Sequence, residues 1–124
     1  MPSFEDLKIW QKAHKLMLRI HEIGKTLPKG EQFKLGNQIE RSSSSVPDNI
    51  AEGYTSYYYN DKIKCMYVAR KEAGETQNHL RSIEGKGYRK KEEVDELFKE
   101  YTEVIKGING FVNYIRKKRD REKE

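Results

Sequence analysis

A proline inside a helix-like repeat is the feature that most constrains this chain. Apolar or small residues recur at intervals of three and four through residues 35–53, as they do along one face of an α-helix. Pro47 falls within that repeat, after four serines and Val46, although a proline costs about 3 kcal/mol in a helix interior. Its ring displaces the carbonyl of Ser43, and serine hydroxyls could satisfy carbonyls freed in this way. The pattern therefore predicts one helix that runs through Pro47 or bends there.

The same helix carries a second, polar face. Its members also recur at intervals of three and four, and they are Gln38, Arg41, Ser45, Asn49 and Glu52. Two interpretations remain open from the spacing alone: a kinked core helix with a solvated side, or a surface that contacts a partner. Gly53 follows this face and is expected to end the helix as a left-handed cap.

Three further segments show helical spacing, so the chain is predicted to be all-α. The first helix begins near Ser3, which forms a capping box with Asp6, and ends before a turn at residues 28–30. The third begins after the tyrosines of residues 54–59, capped by Asn60 or Asp61.

Glycines and acidic residues set the remaining helix boundaries. Gly85 and Gly87 end the third helix, and the fourth starts near Lys90. The apolar stripe of the fourth helix is predicted to consist of Val94, Leu97, Tyr101, Ile105, Ile108, Val112 and Ile115. Short connections favour an antiparallel up-down-up-down four-helix bundle over residues 1–115. Residues 116–124 have nothing apolar to bury, and we expect them to fray as a charged tail.

Composition and motifs argue against an enzyme. The single cysteine, Cys65, excludes an internal disulfide and a cysteine metal cluster. The three histidines, His14, His21 and His79, stand in no nucleophile motif, and the paired Glu-x-x-His motifs of a di-iron bundle are missing. We therefore expect no catalytic residue, metal or cofactor. No signal or membrane-spanning segment is visible in the sequence, and a cytoplasmic location is the expectation.

Basic residues form two clusters in a chain of net charge +5. One follows the first helix opposite its apolar face: Lys8, Lys12, Lys15 and Arg19. The other lies near the end of the chain: Arg116, Lys117, Lys118 and Arg119. In an antiparallel bundle the start of the first helix and the end of the fourth lie together, so the clusters are predicted to form one positive surface for nucleic-acid phosphates. An ordinary solvated face is the alternative.

Other features indicate self-assembly. Gly107 and Gly110 lie beside the apolar stripe of the fourth helix, where the absence of a side chain permits close backbone approach. Tyr57, Tyr58 and Tyr59 add aromatic area that a monomer would expose.

The central segment also carries a resemblance to a known family. Gln38, Arg41, residues 45–47 and residues 49–53 resemble the signature of small bacterial four-helix-bundle proteins encoded by intervening sequences in large-subunit ribosomal RNA genes, often described as ribosomal-protein-like. Phe4-Glu5-Asp6-Leu7, with Trp10 and Ala13, is similar to the start of these proteins, and Leu27-Pro28 with Glu31, Phe33 and Leu35 is similar to their first turn and second helix.

This resemblance implies a ring-shaped homopentamer. One branch of the family, the accessory proteins of diversity-generating retroelements, implies structured RNA and a reverse transcriptase as partners. Lys71 and Glu72 depart from the Gly-Ser pair found in many members, which leaves the branch open. The sequence thus predicts a non-catalytic, self-assembling bundle with a basic surface for structured RNA or a ribonucleoprotein. The alternative is a protein–protein scaffold without nucleic-acid contact.

Overall fold

Four long helices make up most of the molecule. The computed structural model describes residues 2–123, and its helices are α1 (Lys8–Lys25), α2 (Asn37–Thr55), α3 (Tyr59–Gly85) and α4 (Lys91–Lys123). Within that range the chain forms no strand. Each helix packs against the next along the chain, and α1 also packs against α4. The predicted all-α, antiparallel four-helix bundle is confirmed.

The core is the apolar stripe of each helix turned inward. Its completely buried large side chains come from all four helices: Ile20, Ile23, Ile39, Val46, Ile50, Met66, Leu80, Ile83, Val94, Tyr101, Val104 and Ile108. Burial of such side chains contributes roughly 1.5–3 kcal/mol each, which is the main stabilising term in a bundle.

The segments that introduce α1 and α2 differ from the expectation. The capping box of Ser3 and Asp6 is present, but it caps a single 3-10 turn, Phe4–Asp6, and extended backbone at Leu7 separates that turn from α1. The expected turn at residues 28–30 is partly helical, because a short helix, Lys29–Glu31, follows Pro28. A π-helical stretch, Gln32–Gly36, then joins it to α2.

Pro47 lies inside α2 and is buried, so the prediction of a helix through the proline is confirmed. The serine hydroxyls bond differently from the expectation. Ser42 Oγ and Ser43 Oγ lie 3.3 and 3.2 Å from the carbonyl oxygens of Ile39 and Glu40, one turn earlier, rather than at the carbonyl of Ser43.

Gly53 does not cap α2 in a left-handed conformation, so that prediction is wrong. It lies within the helix, which continues to Thr55, and the only positive φ in the described chain belongs to Gly87. A Cβ at Gly53 would lie 3.0 Å from Cys65 Cβ and 3.2 Å from the terminal carbon of Met66. The glycine is needed for close packing of α2 on α3.

The start of α3 also falls earlier than predicted. The connection from α2 is only residues 56–58, and Tyr58 is the N-cap residue. Asn60 and Asp61 therefore lie inside the first turn of α3 and do not cap it.

The link between α3 and α4 ends the third helix as expected. Gly87, at φ 78°, donates its N–H to the carbonyl of Glu84, and Tyr88 donates to that of Ile83. This pair of bonds is a Schellman motif, which satisfies the last carbonyls of α3.

Helix α4 continues to Lys123, whereas we expected residues 116–124 to fray; residue 124 lies outside the described residues. Two side-chain bonds hold this extension against the start of α3. Tyr59 Oη donates to Glu122 Oε1 at 2.6 Å, and Arg119 Nη1 donates to Asn60 Oδ1 at 2.9 Å. Polar contacts, rather than apolar burial, hold the end of α4 against α3. The apolar pattern of the sequence therefore could not predict this extension.

Candidate nucleic-acid interface

The basic stripe of α1 faces a row of carboxylates on α4. Lys12, Lys15 and Arg19 share a surface groove of about 370 Å³ with Glu93, Glu96 and Glu100. Arg19 Nη2 donates to Glu93 Oε2 at 2.5 Å, and Arg19 Nη1 lies 3.7 Å from Glu22 Oε2. Three cations and three carboxylates thus line the groove, so its net potential is small. Lys8, at the start of α1, is exposed and lies outside this groove.

The second basic cluster, residues 116–119 and called the α4 cluster below, has fewer acidic neighbours than the stripe on α1. The segment 116–123 carries six basic and two acidic side chains, a net charge of +4, against +5 for the whole chain. In the described range no carboxylate lies within ion-pair distance of Lys117 or Lys118. Arg116 instead packs over the ring of Tyr67, with its guanidinium carbon 5.5 Å from the centroid, and donates to the Tyr67 hydroxyl. Arg119 bonds Asn60 and the neighbouring Asp120.

The two basic clusters do not form the single surface that we predicted. Arg19 pairs with Glu93, near the start of α4, whereas Arg116 lies 23 residues later on the same helix. At 1.5 Å per residue that separation is about 35 Å. The start of α1 comes nearest to the α4 cluster, since Ile9 packs against Gly107, which lies about 14 Å before Arg116 along α4.

An aromatic and basic corner adjoins the α4 cluster. We refer to Tyr57, Tyr58, Tyr59, Lys62, Lys118 and Glu122 as the tyrosine corner; together they line a surface hollow of about 440 Å³. Tyr57 and Tyr58 are 87% and 67% exposed, and their rings meet edge to face with centroids 5.0 Å apart. These tyrosines were expected to contribute to self-assembly. Their spacing from Lys62 could have indicated a nucleic-acid surface, but their nearness to Lys118 depends on the tertiary structure.

Two lysines, Lys62 and Lys118, line the tyrosine corner together. Lys62 is half-buried and donates from Nζ to the carbonyl of Tyr54 at 2.7 Å. Burial lowers the pKa of Lys62, and repulsion from Lys118 lowers it further. The carboxylate of Glu122 is engaged by the Tyr59 hydroxyl, a hydrogen bond that raises the pKa of Tyr59. An anion placed between the two lysines would therefore be attracted.

The polar face of α2 is arranged around Arg41. Its guanidinium donates to Glu75 Oε2 at 2.7 Å and to Glu72 Oε2 at 3.2 Å, both on α3. The bond from Arg41 lowers the pKa of Glu75 to about 2, while burial raises the pKa of Glu72. Beneath this pair, Ser42 Oγ lies 2.8 Å from Thr76 Oγ1, which donates to the carbonyl of Glu72. Arg41 is thus fixed by its own chain.

The other members of that face remain accessible. Gln38 and Glu52 are exposed, and Asn49 donates from Nδ2 to the carbonyl and hydroxyl oxygens of Ser45, at 2.8 and 2.9 Å. The two glycines proposed for assembly have different surroundings. Gly107 is used within the chain, against Ile9, whereas Gly110 is exposed with open space around it.

Within residues 2–123 no group of three or more histidine, cysteine or acidic side chains is arranged to hold a metal. His79 Nε2 lies 3.5 Å from Glu75 Oε1, and this carboxylate already accepts from Arg41. Every helix in the same range is too short or too polar to cross a bilayer.

These features define a class of protein: a small all-α bundle with a hydrogen-bonded seam between α2 and α3 and a positive end on α4. The chain belongs to the 23S rRNA-intervening sequence protein family, whose model matches residues 5–110. That match ends before the α4 cluster. No curated protein matches the chain.

A crystal structure of a protein of unknown function from the S23 ribosomal protein family of Bacteroides thetaiotaomicron is similar to the chain. The two share 26% sequence identity and superpose with a TM-score of 0.79, over 85% of this chain and 95% of the other. The likeness therefore extends over nearly all of that protein.

Proposed function

We propose that this protein is a non-catalytic, self-assembling bundle that binds structured RNA or a ribonucleoprotein through the basic end of α4. The observation that carries the proposal is the concentration of charge there: a net +4 on residues 116–123, with no carboxylate within ion-pair distance of Lys117 or Lys118 in the described chain. Phosphates neutralised by such groups release counterions, which gives binding that weakens steeply with salt. Membership of a family described by its association with 23S rRNA genes supports RNA as the anionic partner.

The α1 stripe contributes less in this proposal. Lys12 and Lys15 lie in the groove that Glu96 and Glu100 also line, so a phosphate there would meet carboxylates as well as ammonium groups. Lys8 is the stripe member best placed to extend the α4 surface, since neighbouring Ile9 packs at Gly107.

Charge reversal at matched positions tests the RNA interface. Lys117→Glu with Lys118→Glu should weaken retention of a structured RNA about ten-fold or more at low salt and reduce the salt dependence. Lys12→Glu with Lys15→Glu should have a smaller effect. Lys25→Glu with Lys34→Glu makes the same change in net charge at exposed positions near the other end of the bundle, and serves as the control.

Equal retention by the wild type and the Lys117/Lys118 variant would contradict the proposal, as would no retention by the wild type at low salt. Either result would favour the protein–protein scaffold, which needs no RNA. Circular dichroism of each variant confirms that the bundle is intact.

Self-assembly is part of the same proposal, with five subunits as the number that the family resemblance implies. The accessible part of the α2 polar face, formed by exposed Gln38 and Glu52 and half-buried Asn49, is the surface we assign to contact between copies. Light scattering should then return about 74 kDa, five times the 14.7 kDa chain, and Glu52→Arg should lower it. A mass of one chain at micromolar concentration would rule out a stable assembly.

Repetition of a basic end in a ring would strengthen RNA binding, because one polymer could contact several copies at once. The same resemblance includes accessory proteins of a reverse transcriptase, and we extend the proposal to that role. Co-purification of an untagged reverse transcriptase encoded beside the gene would support it. A gene lying instead within a ribosomal RNA gene would contradict the reverse transcriptase role and leave the RNA-binding proposal intact.

A further inference from the structure

The tyrosine corner combines flat aromatic faces with paired cations, a combination that the α4 cluster alone does not provide. We propose that it binds unpaired nucleotides, with bases stacked on Tyr57 and Tyr58 and a phosphate between Lys62 and Lys118. The proposal rests on the RNA-binding function proposed above and specifies which part of an RNA this site recognises. Structured RNAs present such nucleotides in loops and bulges, where unstacked bases are available to aromatic side chains.

Exposure of the rings is the first argument. Tyr57 and Tyr58 project from the short connection between α2 and α3 and are 87% and 67% exposed. Because the two rings meet edge to face, their contact covers one face of one ring only. A base stacked on such a ring gains affinity regardless of its identity, because every base has a π-face. Sequence-tolerant binding of single strands is therefore the chemistry that this arrangement favours.

Charge complementarity is the second argument and selects a nucleotide over a second copy of the chain. Lys62 and Lys118 line the same hollow, and its one carboxylate, Glu122, is bonded to Tyr59. A neighbouring hollow extends the surface along Arg119 and Lys123, with Asp61 as its acidic member. A partner for this corner must bring anionic charge together with flat apolar groups, and a nucleotide has both. A second copy that met this corner with its own tyrosine corner would bring further cations.

The size of the hollow agrees with this ligand. Its volume of about 440 Å³ falls within the range of roughly 300–1,000 Å³ that is usual for small-ligand sites. One to two nucleotides could occupy it while the rest of the RNA follows Arg119 and Lys123.

The test compares a short fluorescent single-stranded RNA of mixed sequence with the same strand annealed into a duplex, by anisotropy at low salt on the full-length protein. The wild type should bind the single strand more tightly. Tyr57→Ala with Tyr58→Ala should weaken single-strand binding about ten-fold or more and leave duplex binding unchanged. Tyr57→Phe with Tyr58→Phe keeps both rings and should bind as the wild type does.

Two controls use the other end of the bundle. Phe33 is 76% exposed, so Phe33→Ala removes a comparably exposed ring and should leave both affinities unchanged. Lys118→Ala should reduce the slope of log affinity against log salt by about 0.7, the value for one phosphate contact on a single strand. Lys34→Ala, beside Phe33, should not change the slope.

Failures of the two proposals are distinguishable. No RNA binding by the wild type would overturn the proposed function together with this site. Salt-sensitive binding that survives unchanged in the Tyr57/Tyr58 alanine variant would overturn this site alone. A change in molar mass of that variant with unaltered affinity would overturn it too, and would assign the corner to contact between copies.

Discussion

Gly107 and Gly110 stand three residues apart on α4 in opposite surroundings, which makes them a matched pair for testing the packing of α1. A Cβ at Gly107 would lie 2.3 Å from Ile9 Cγ2, whereas a Cβ at Gly110 would meet nothing within 4 Å. Carbon atoms in contact normally lie about 3.5–4.0 Å apart, so Ile9 must move by more than about 1 Å. A β-branched side chain in a helix has one strongly preferred rotamer and cannot simply turn away.

The magnitude follows from two opposing effects. Replacing glycine by alanine in a helix interior favours folding by about 1 kcal/mol. Overpacking at Gly107 opposes folding by about 1–3 kcal/mol. Gly110→Ala should therefore raise the free energy of unfolding by about 1 kcal/mol, and Gly107→Ala should leave it unchanged or lower it by up to about 2 kcal/mol. The two variants should differ by about 1–3 kcal/mol.

Urea unfolding at fixed protein concentration measures both variants, with circular dichroism for all helices and the single tryptophan, Trp10, for α1. Ile9→Ala in the Gly107→Ala background removes the clash. The double variant should therefore lose less free energy of unfolding than the two single variants lose together. If Gly107→Ala equals or exceeds Gly110→Ala in stability, the close approach of α1 and α4 described above is wrong. If Gly110→Ala dissociates an assembly instead, that glycine contacts another copy.

Arg41→Ala should destabilise the protein most near neutral pH. The folded-state pKa of Glu75 is lowered to about 2, so the stabilising contribution of its carboxylate is present above the ordinary pKa of 4.5 and is lost as pH falls towards 2. The free energies of unfolding of the wild type and the Arg41→Ala variant should therefore converge between pH 4.5 and pH 2. A difference that stays constant over this range would contradict the assignment. Ser42→Ala should lower the free energy of unfolding by about 1 kcal/mol, because it removes the buried hydrogen-bond partner of Thr76. The control is Ser82→Ala, on the exposed side of α3. Equal free energies of unfolding for the two variants would refute the prediction. Deletion of residues 116–124 should increase amide exchange in the first turns of α3, which lose the bonds from Glu122 and Arg119, and unchanged exchange there would show that α3 does not depend on them.

The sequence predicted the helices well because their burial follows the period of the helix. Val94, Leu97, Tyr101, Ile108, Val112 and Ile115 were all expected on the inner stripe of α4 and are all buried. Ile105 was also expected there but is half-buried, and Val104 takes its place. A repeat of three and four residues does not match 3.6 residues per turn, so the inner face drifts along a helix of 33 residues.

Helix ends and the relation between the basic clusters were less predictable. The cap at Gly53 was wrong because glycine serves close packing as well as left-handed turns, and the local sequence does not distinguish these uses. The clusters were expected to merge because the start of α1 and the end of α4 lie at the same end of an antiparallel bundle, but the α1 stripe runs from Lys8 to Arg19, away from that end. At 1.5 Å per residue α4 is about 50 Å long and α1 about 27 Å, and the acidic neighbours of the α1 stripe come from α4, more than 70 residues away in sequence.

Side-chain pairs between α3 and α4 limit how these proteins can change in length during evolution. Asp95, Thr102, Asn109, Arg116 and Arg119 of α4 bond in turn to Arg81, Gln77, Arg70, Tyr67 and Asn60 of α3. One residue inserted in either helix would rotate everything beyond it by about 100° and separate all later pairs. Tolerated length changes in this region are therefore expected to be matched insertions or deletions of about seven residues in both helices, which would move the tyrosine corner along the bundle axis and leave the inner core unchanged.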